Sequence, residues 1–335
     1  MGLKTLWSRE YTQTKLFVWL VPAVHFFFLG FGRLNEWILN YGLHAERWVE
    51  LLNSRDVVQY YQYGALESKG RAWMLAAVIV LALVQFGMER RNGGQEFLFS
   101  LPYSRRQIFT AKWLFGIALI AGTFTLNTLI DAMVILASPT AELFNLGYHL
   151  EQWLYSIVLI AAVYSFVVLI GTVTGAVWSQ AAISALLWMV PAAVYTVLDD
   201  SIRHLWNDNF LYGGVTYNTL VKLRFIPFYI FIDYEWITWG NIVAMALPTA
   251  LFFLIGAVCY QYNKPEHNGK FLIFRWFERA VQAIIVVLVS LVAGNAAWET
   301  IYIFDDRFTY AVGFAIGCAL SLLVTSGLKR MHWRG

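Results

Sequence analysis

Charge is scarce in this 335-residue chain: 13% of its residues are charged, against 59% hydrophobic. Soluble domains carry about 25% charged and about 45–50% apolar residues, so a water-soluble fold has nowhere to bury this much apolar surface. Cysteine is nearly absent as well. Cys259 and Cys318 both sit in apolar runs without a His or a second Cys at ligand spacing, which marks them as small core residues; neither a disulfide nor a metal site is expected. No G-x-x-x-x-G-K-[ST] phosphate loop occurs, so the chain has no nucleotide site of that kind. A net charge of +3 is too small to suggest a nucleic-acid partner.

What the chain does have is apolar runs of membrane length and many residues suited to the membrane surface, with 15 Trp and 18 Tyr. A spanning helix needs about 20 mainly apolar residues. Eight segments qualify: Leu16–Gly32, Ala72–Met88, Trp113–Ala137, Trp153–Val177, Ala181–Leu198, Asn241–Tyr260, Val281–Trp298 and Phe308–Gly327. The expected fold class is therefore an all-α polytopic helical bundle, a single membrane domain over residues 1–335. The first run is longer than a signal-peptide core and lacks a small-x-small cleavage site, so it reads as a retained span. Trp178, Ser179 and Gln180 alone separate the fourth and fifth spans, which requires a tight hairpin.

Charge sets the orientation, because Lys and Arg gather in cytoplasmic loops. With both termini inside, the cytoplasmic segments hold 15 of the 24 Lys and Arg. The acidic residues lie mostly on the other side. External loops are expected at residues 33–71 and 199–240. The second contains Phe225–Ile232, too short to span but apolar enough to lie at the interface with membrane lipids or to re-enter the membrane. Residues 1–15, with Leu3, Leu6, Trp7 and Tyr11 among charges, fit a helix along the cytoplasmic membrane surface that feeds into the first span.

The most informative segment is the cytoplasmic loop 89–112 between the second and third spans. Gly93 and Gly94 permit a sharp turn. Pro102 breaks a helix arriving through Phe97–Leu101 and biases Leu101 toward extended backbone. Ser104 and Gln107 stand at capping-box spacing and mark a new helix start. Phe97, Leu98, Leu101, Tyr103 and Ile108 would then project beside Arg105 and Arg106. Apolar knobs framed by charge suit a protein contact; the alternative is a segment that dips into headgroups while its arginines hold the topology.

Glu89, Gly94, Glu96, Leu98, Ser100-Leu-Pro102, Ser104-Arg105, Ile108 and Lys112 together resemble the coupling-helix segment of ABC-2 type ABC transporter permeases. Tyr103 stands where that family often has Val, and Gln95 where Thr is common; neither removes the turn or the cap. A weaker likeness is to permeases of Gram-positive ABC operons induced by cell-wall antibiotics. The resemblance implies a permease subunit that pairs with a second permease, as a homo- or heterodimer, and is driven by separate ABC ATPase subunits holding ATP and Mg. Phe97 to Leu101 and the Pro102-Tyr103-Ser104 turn would enter the ATPase cleft. Glu89 and Glu96 would orient the segment, and Arg105 or Arg106 would meet acidic groups on the partner. Six spans are common in the family, so eight leave the C-terminal third without a clear counterpart.

Asp131 in the third span is a candidate for the translocation path, since an intramembrane acid is costly without a role. His25 reads as a packing residue. Gly171-x-x-x-Gly175 and Gly313-x-x-x-Gly317 read as close-packing motifs, within or between subunits. The function that follows is ATP-driven movement, outward, of a hydrophobic, lipid-linked or peptide-like substrate across the cytoplasmic membrane, with no catalytic residues in this chain. The alternatives are an ion-driven secondary transporter, against which the lone intramembrane acid and the lack of an inverted repeat argue, and an intramembrane enzyme acting on lipids. The latter would need acids, His or Ser at one membrane depth, and these are scattered.

Overall fold

A computed structural model describes residues 3–54, 66–139, 141–206, 237–264, 266, 268–300 and 306–332. All the regular structure among them is helical. The elements are α1 (Leu3–Phe28), α2 (Gly30–Leu34), α3 (Ala45–Ser54), α4 (Leu66–Ala82), α5 (Gly94–Ser100), α6 (Arg105–Ala137), α7 (Leu146–Val173), α8 (Val177–Trp206), α9 (Trp239–Gln261), α10 (Arg275–Thr300) and α11 (Asp306–His332). A π-helical stretch, Asn35–Leu39, continues α2, and another, Leu83–Met88, continues α4 into Glu89–Arg91. Eight of these helical stretches are long and apolar enough to cross a membrane, and each overlaps one of the expected spans. The chain is a multi-pass α-helical membrane protein.

All eight begin before the expected spans and most run past their ends, and the reasons are local. The surface helix expected over residues 1–15 is continuous with the first span, and the chain bends at Thr14 (φ −110°, ψ 17°). The Thr14 hydroxyl donates to the Glu10 carbonyl at 2.7 Å, a bond that bends helices. Leu6, Glu10 and Thr14, four residues apart, are all buried, so this helix packs on protein along one stripe. The expected external loop 33–71 is largely helical where it is described, and Leu66 to Arg71 already belong to α4. α6 ends at Ser138, which is extended (φ −82°, ψ 160°) as the residue before Pro139 must be.

The hairpin between the fourth and fifth spans turns at residues 174–176, earlier than expected. Trp178, Ser179 and Gln180 already form the first turn of α8. Gly175 consequently lies beyond α7 and is not a helix-face glycine; its N–H donates to the Lys270 carbonyl at 3.0 Å and its carbonyl accepts from Gly269 at 2.8 Å. Phe225–Ile232 lies outside the described residues.

The chain divides into two compact units, one from residues 1–184 and 228–273, the other from 185–227 and 274–335. In the first, α7 is the central helix, contacting α4, α6 and α9, while α1 contacts α4 and α6. Tyr155, Leu159, Ile160, Ala162, Tyr164 and Val168 bury its middle. In the second unit α10 and α11 lie in close contact: a Cβ at Gly313 would stand 2.4 Å from that of Ala297, and one at Gly317 would stand 2.6 Å from that of Ala293. The Gly313/Gly317 motif is thus used within the chain. Ser201 of α8 joins the same unit through Asn295 at 3.1 Å.

The tightest approach in the first unit is at Gly116 of α6, where a Cβ would fall 2.1 Å from the Tyr164 hydroxyl oxygen. Tyr164 is fully buried and donates to Gln85 Oε1 at 2.7 Å. Gly116→Ala is expected to cost about 1–3 kcal/mol by overpacking, read as a lower thermal midpoint of the detergent-solubilised chain. Gly116→Ala combined with Tyr164→Ala is expected to be less than additive, because the second change removes the ring that the methyl strikes.

Candidate functional site: the coupling segment and its buried anchors

The loop 89–112 has the shape its residues dictate. Gly93 adopts φ +70°, ψ 2°, a left-handed conformation that costs glycine little, and turns the chain from the end of the second span into α5. α5 stops at Leu101, which is extended (φ −75°, ψ 153°) ahead of Pro102. Ser104 then caps α6: its hydroxyl accepts from the Gln107 N–H at 3.2 Å, and Gln107 Oε1 accepts from the Ser104 N–H at 2.9 Å.

Burial divides the expected contact residues. Glu96, Phe97, Pro102, Ser104 and Arg106 are exposed, and Leu101 and Tyr103 are half-buried. Leu98 and Ile108 are buried and do not project as expected. Each lies on the inner side of its helix and fixes the segment to the unit. Arg105 is also engaged within the chain, donating to the carbonyls of Gln261 (3.0 Å) and Asn263 and lying over the Phe99 ring at 4.4 Å. Arg106 is therefore the exposed cation of the pair. Asn263 in turn donates to the Thr172 carbonyl at 3.2 Å, so the segments that charge bias assigns to the cytoplasm meet at one end of the unit.

Beneath α5 lies a buried charge cluster. Lys112 Nζ of α6 sits 2.6 Å from Glu10 Oε1 of α1 and 2.9 Å from Glu89 Oε2 at the end of the second span. Lys112, Glu10 and Glu89 are all buried. Arg9 adds a contact to Glu89 Oε1 at 3.3 Å, donates to the Gly94 carbonyl at 3.2 Å and lies over Phe97 at 5.4 Å. Glu89 thus orients the segment from inside, whereas Glu96 is exposed. One cation from the third span holds carboxylates from the first two, and the same cluster fastens the start of α5.

A second cluster ties the same three helical stretches at their other end. Arg33 donates to Asp131 Oδ1 of α6 at 2.7 Å and to Glu67 Oε1 of α4, with its guanidinium 4.3 Å from the Trp37 ring. His149 Nδ1 of α7 stands 3.7 Å from Asp131 Oδ2. Arg71 donates to Gln152 Oε1 at 2.7 Å. Asp131, the candidate for the translocation path, is buried in this network. His25 is also buried, with its ring 4.5 Å from that of Phe124. Both cysteines are free, and among the described residues no three His, Cys, Asp or Glu gather in a way that could hold a metal.

Glu10, Gln85, Arg33 and Glu67 were not among the residues singled out in the sequence. A signal for such residues exists in the four-residue polar spacing Thr123-Asn127-Asp131 on α6 and Tyr148-Gln152-Ser156 on α7, all of them buried. Polar groups that recur on one face of an apolar helix point into the bundle.

A polytopic helical chain with a capped, internally anchored segment between its second and third spans has the arrangement that the resemblance to ABC-2 type permeases implies. Residues 68–190 match the ABC-2 family transporter protein model, a stretch that contains the whole of loop 89–112, and the resemblance to ABC-2 type permeases is borne out. The chain is similar to the probable ABC transporter permease YtrD of Bacillus subtilis (strain 168), with 26% identity covering 95% of this chain and 94% of the relative. It is also similar to the probable ABC transporter permease YtrC of the same organism, with 22% identity covering 66% of this chain and 69% of the relative. No solved structure matches. These likenesses support reading the chain as a membrane permease subunit of ABC transporter type.

Proposed function

We propose that this chain couples ATP hydrolysis by separate ATPase subunits to movement, outward across the cytoplasmic membrane, of a hydrophobic, lipid-linked or peptide-like substrate. α5 and the Pro102-Tyr103-Ser104 turn enter the ATPase cleft, ATP and Mg reside in that partner, and a second permease completes the path. The observation that carries the reading is the combination of an exposed α5 tip, with Phe97 58% accessible, and the buried Lys112–Glu89–Glu10 cluster immediately beneath it. A segment that only lay in headgroups would not require an ion cluster joining it to three helices. A segment that transmits force does, because a push on α5 must move α1, α4 and α6 together.

The test is assembly with the ATPase subunit. Phe97→Asp is chosen because an exposed change costs this chain's own stability at most about 1 kcal/mol, including its contact with Arg9. Loss of a central aromatic anchor costs an interface about 2 kcal/mol or more, so affinity for the ATPase is expected to fall at least about tenfold while the thermal midpoint of the permease barely moves. Leu101→Asp is expected to do the same. Full assembly and undiminished ATPase stimulation by both variants would show that docking lies elsewhere.

A further inference from the structure

At the end of the first unit remote from the coupling segment, α1, α4, α6 and α7 enclose a small cavity lined by Glu67, Asp131, Thr128, Ser156, Phe124 and Trp153, among others. Among the described residues the lining contains two carboxylates, Glu67 and Asp131, and no Lys or Arg. Arg33 lies behind them and contacts Glu67 through Oε1 and Asp131 through Oδ1. A single guanidinium between two carboxylates leaves that triad with one negative charge unbalanced. Arg71, the next cation, is engaged with Gln152 and lies 5.6 Å from the Tyr155 ring. Glu67 Oε2 has no hydrogen-bond partner among the described residues, and neither does the hydroxyl of Ser156, which is buried at 5% exposure, or that of Thr128. Acceptors left open in a low-dielectric setting are costly, and they define what would satisfy them.

The geometry points to a binding site for the primary ammonium group of an amine-bearing ligand. Such a group supplies three N–H donors, matching one free carboxylate oxygen and two free hydroxyl oxygens. It also supplies the positive charge that the acidic lining lacks, and the Phe124 and Trp153 rings that line the cavity favour a desolvated cation. An anionic group would meet two carboxylates with no Lys or Arg among the described lining residues, and a neutral group would leave the Glu67–Arg33–Asp131 triad with its net negative charge. The cavity takes the head group alone, so the rest of the ligand lies along the helices or in the membrane. The inference rests on cavity chemistry and is independent of whether ATP drives the chain.

The test is binding to the purified full-length chain in dodecyl maltoside, which carries no amine. Titration calorimetry with n-butylammonium is expected to show saturable binding, with n-butanol and tetramethylammonium each binding at least about tenfold more weakly, the first for want of charge and the second for want of N–H donors. Glu67→Gln is expected to weaken n-butylammonium about tenfold or more without altering the circular dichroism of the chain. Should Glu67→Gln fail to fold, Ser156→Ala carries the same test, with a several-fold loss expected. No saturable binding, equal binding of n-butanol, or unchanged affinity in a folded Glu67→Gln or Ser156→Ala chain would overturn the proposal.

Discussion

Lys112→Met is expected to destabilise the chain by about 3–5 kcal/mol, the cost of breaking a buried ion pair by removing one partner. The change preserves most of the side-chain volume, so the loss is electrostatic. Glu10 and Glu89 would remain buried, 3.3 Å from Arg9 in the case of Glu89 and with no cation in direct contact in the case of Glu10. Native stability is itself only about 5–15 kcal/mol, so the variant should give much less monodisperse protein on extraction and a markedly lower thermal midpoint. The decisive comparison is Lys112→Met with Glu10→Gln. Arg9 and Glu89 then remain as a balanced pair, and more than half of the lost stability is expected to return. A double variant as unstable as the single one would mean that Lys112 acts by packing alone.

The same cluster ties the stability of the unit to the position of α5. Glu89 ends the second span, Lys112 lies in the second turn of α6, and α5 sits between them with its first carbonyl held by Arg9. Displacing α5 without moving its neighbours would separate buried charges, which costs more than moving the three helices together. An energetic penalty on independent motion is what the proposed coupling role requires of the segment.

The coupling segment was legible in the sequence because each of its signals is local. A glycine at a turn, a proline after a short helix and a Ser–Gln cap act within four residues, and Gly93, Leu101 and Ser104 adopt the expected conformations. The eight spans were legible for the same reason, since apolar length is a property of a single segment. Burial was less so. Leu98 and Ile108 looked like surface knobs because sequence near a proline turn does not say which side of a short helix faces the bundle. The charge clusters were not legible at all: Glu10 and Lys112 are separated by 102 positions and Arg33 and Asp131 by 98. Arg33, placed in an external loop by the hydropathy boundary, is instead fully buried. A charged residue just outside an apolar run reads as loop unless its partner is known.

Arg33→Met tests the outer anchor and is expected to cost about 3–5 kcal/mol, again by leaving buried acids without their cation. The two carboxylates are not equivalent, which gives the prediction its detail. Both border the cavity, but Asp131 has a side chain 4% exposed, whereas that of Glu67 is 14% exposed and more open to water. Arg33→Met with Asp131→Asn should therefore recover most of the lost stability, and Arg33→Met with Glu67→Gln should recover less. Arg33→Lys should fall between wild type and Arg33→Met, because an ammonium on a shorter, unforked side chain cannot reproduce the guanidinium's two directed contacts. Thermal midpoints of the four variants in the same detergent check the order. Equal recovery from either carboxylate change would show that the two acids share one environment, and that the cavity does not solvate Glu67.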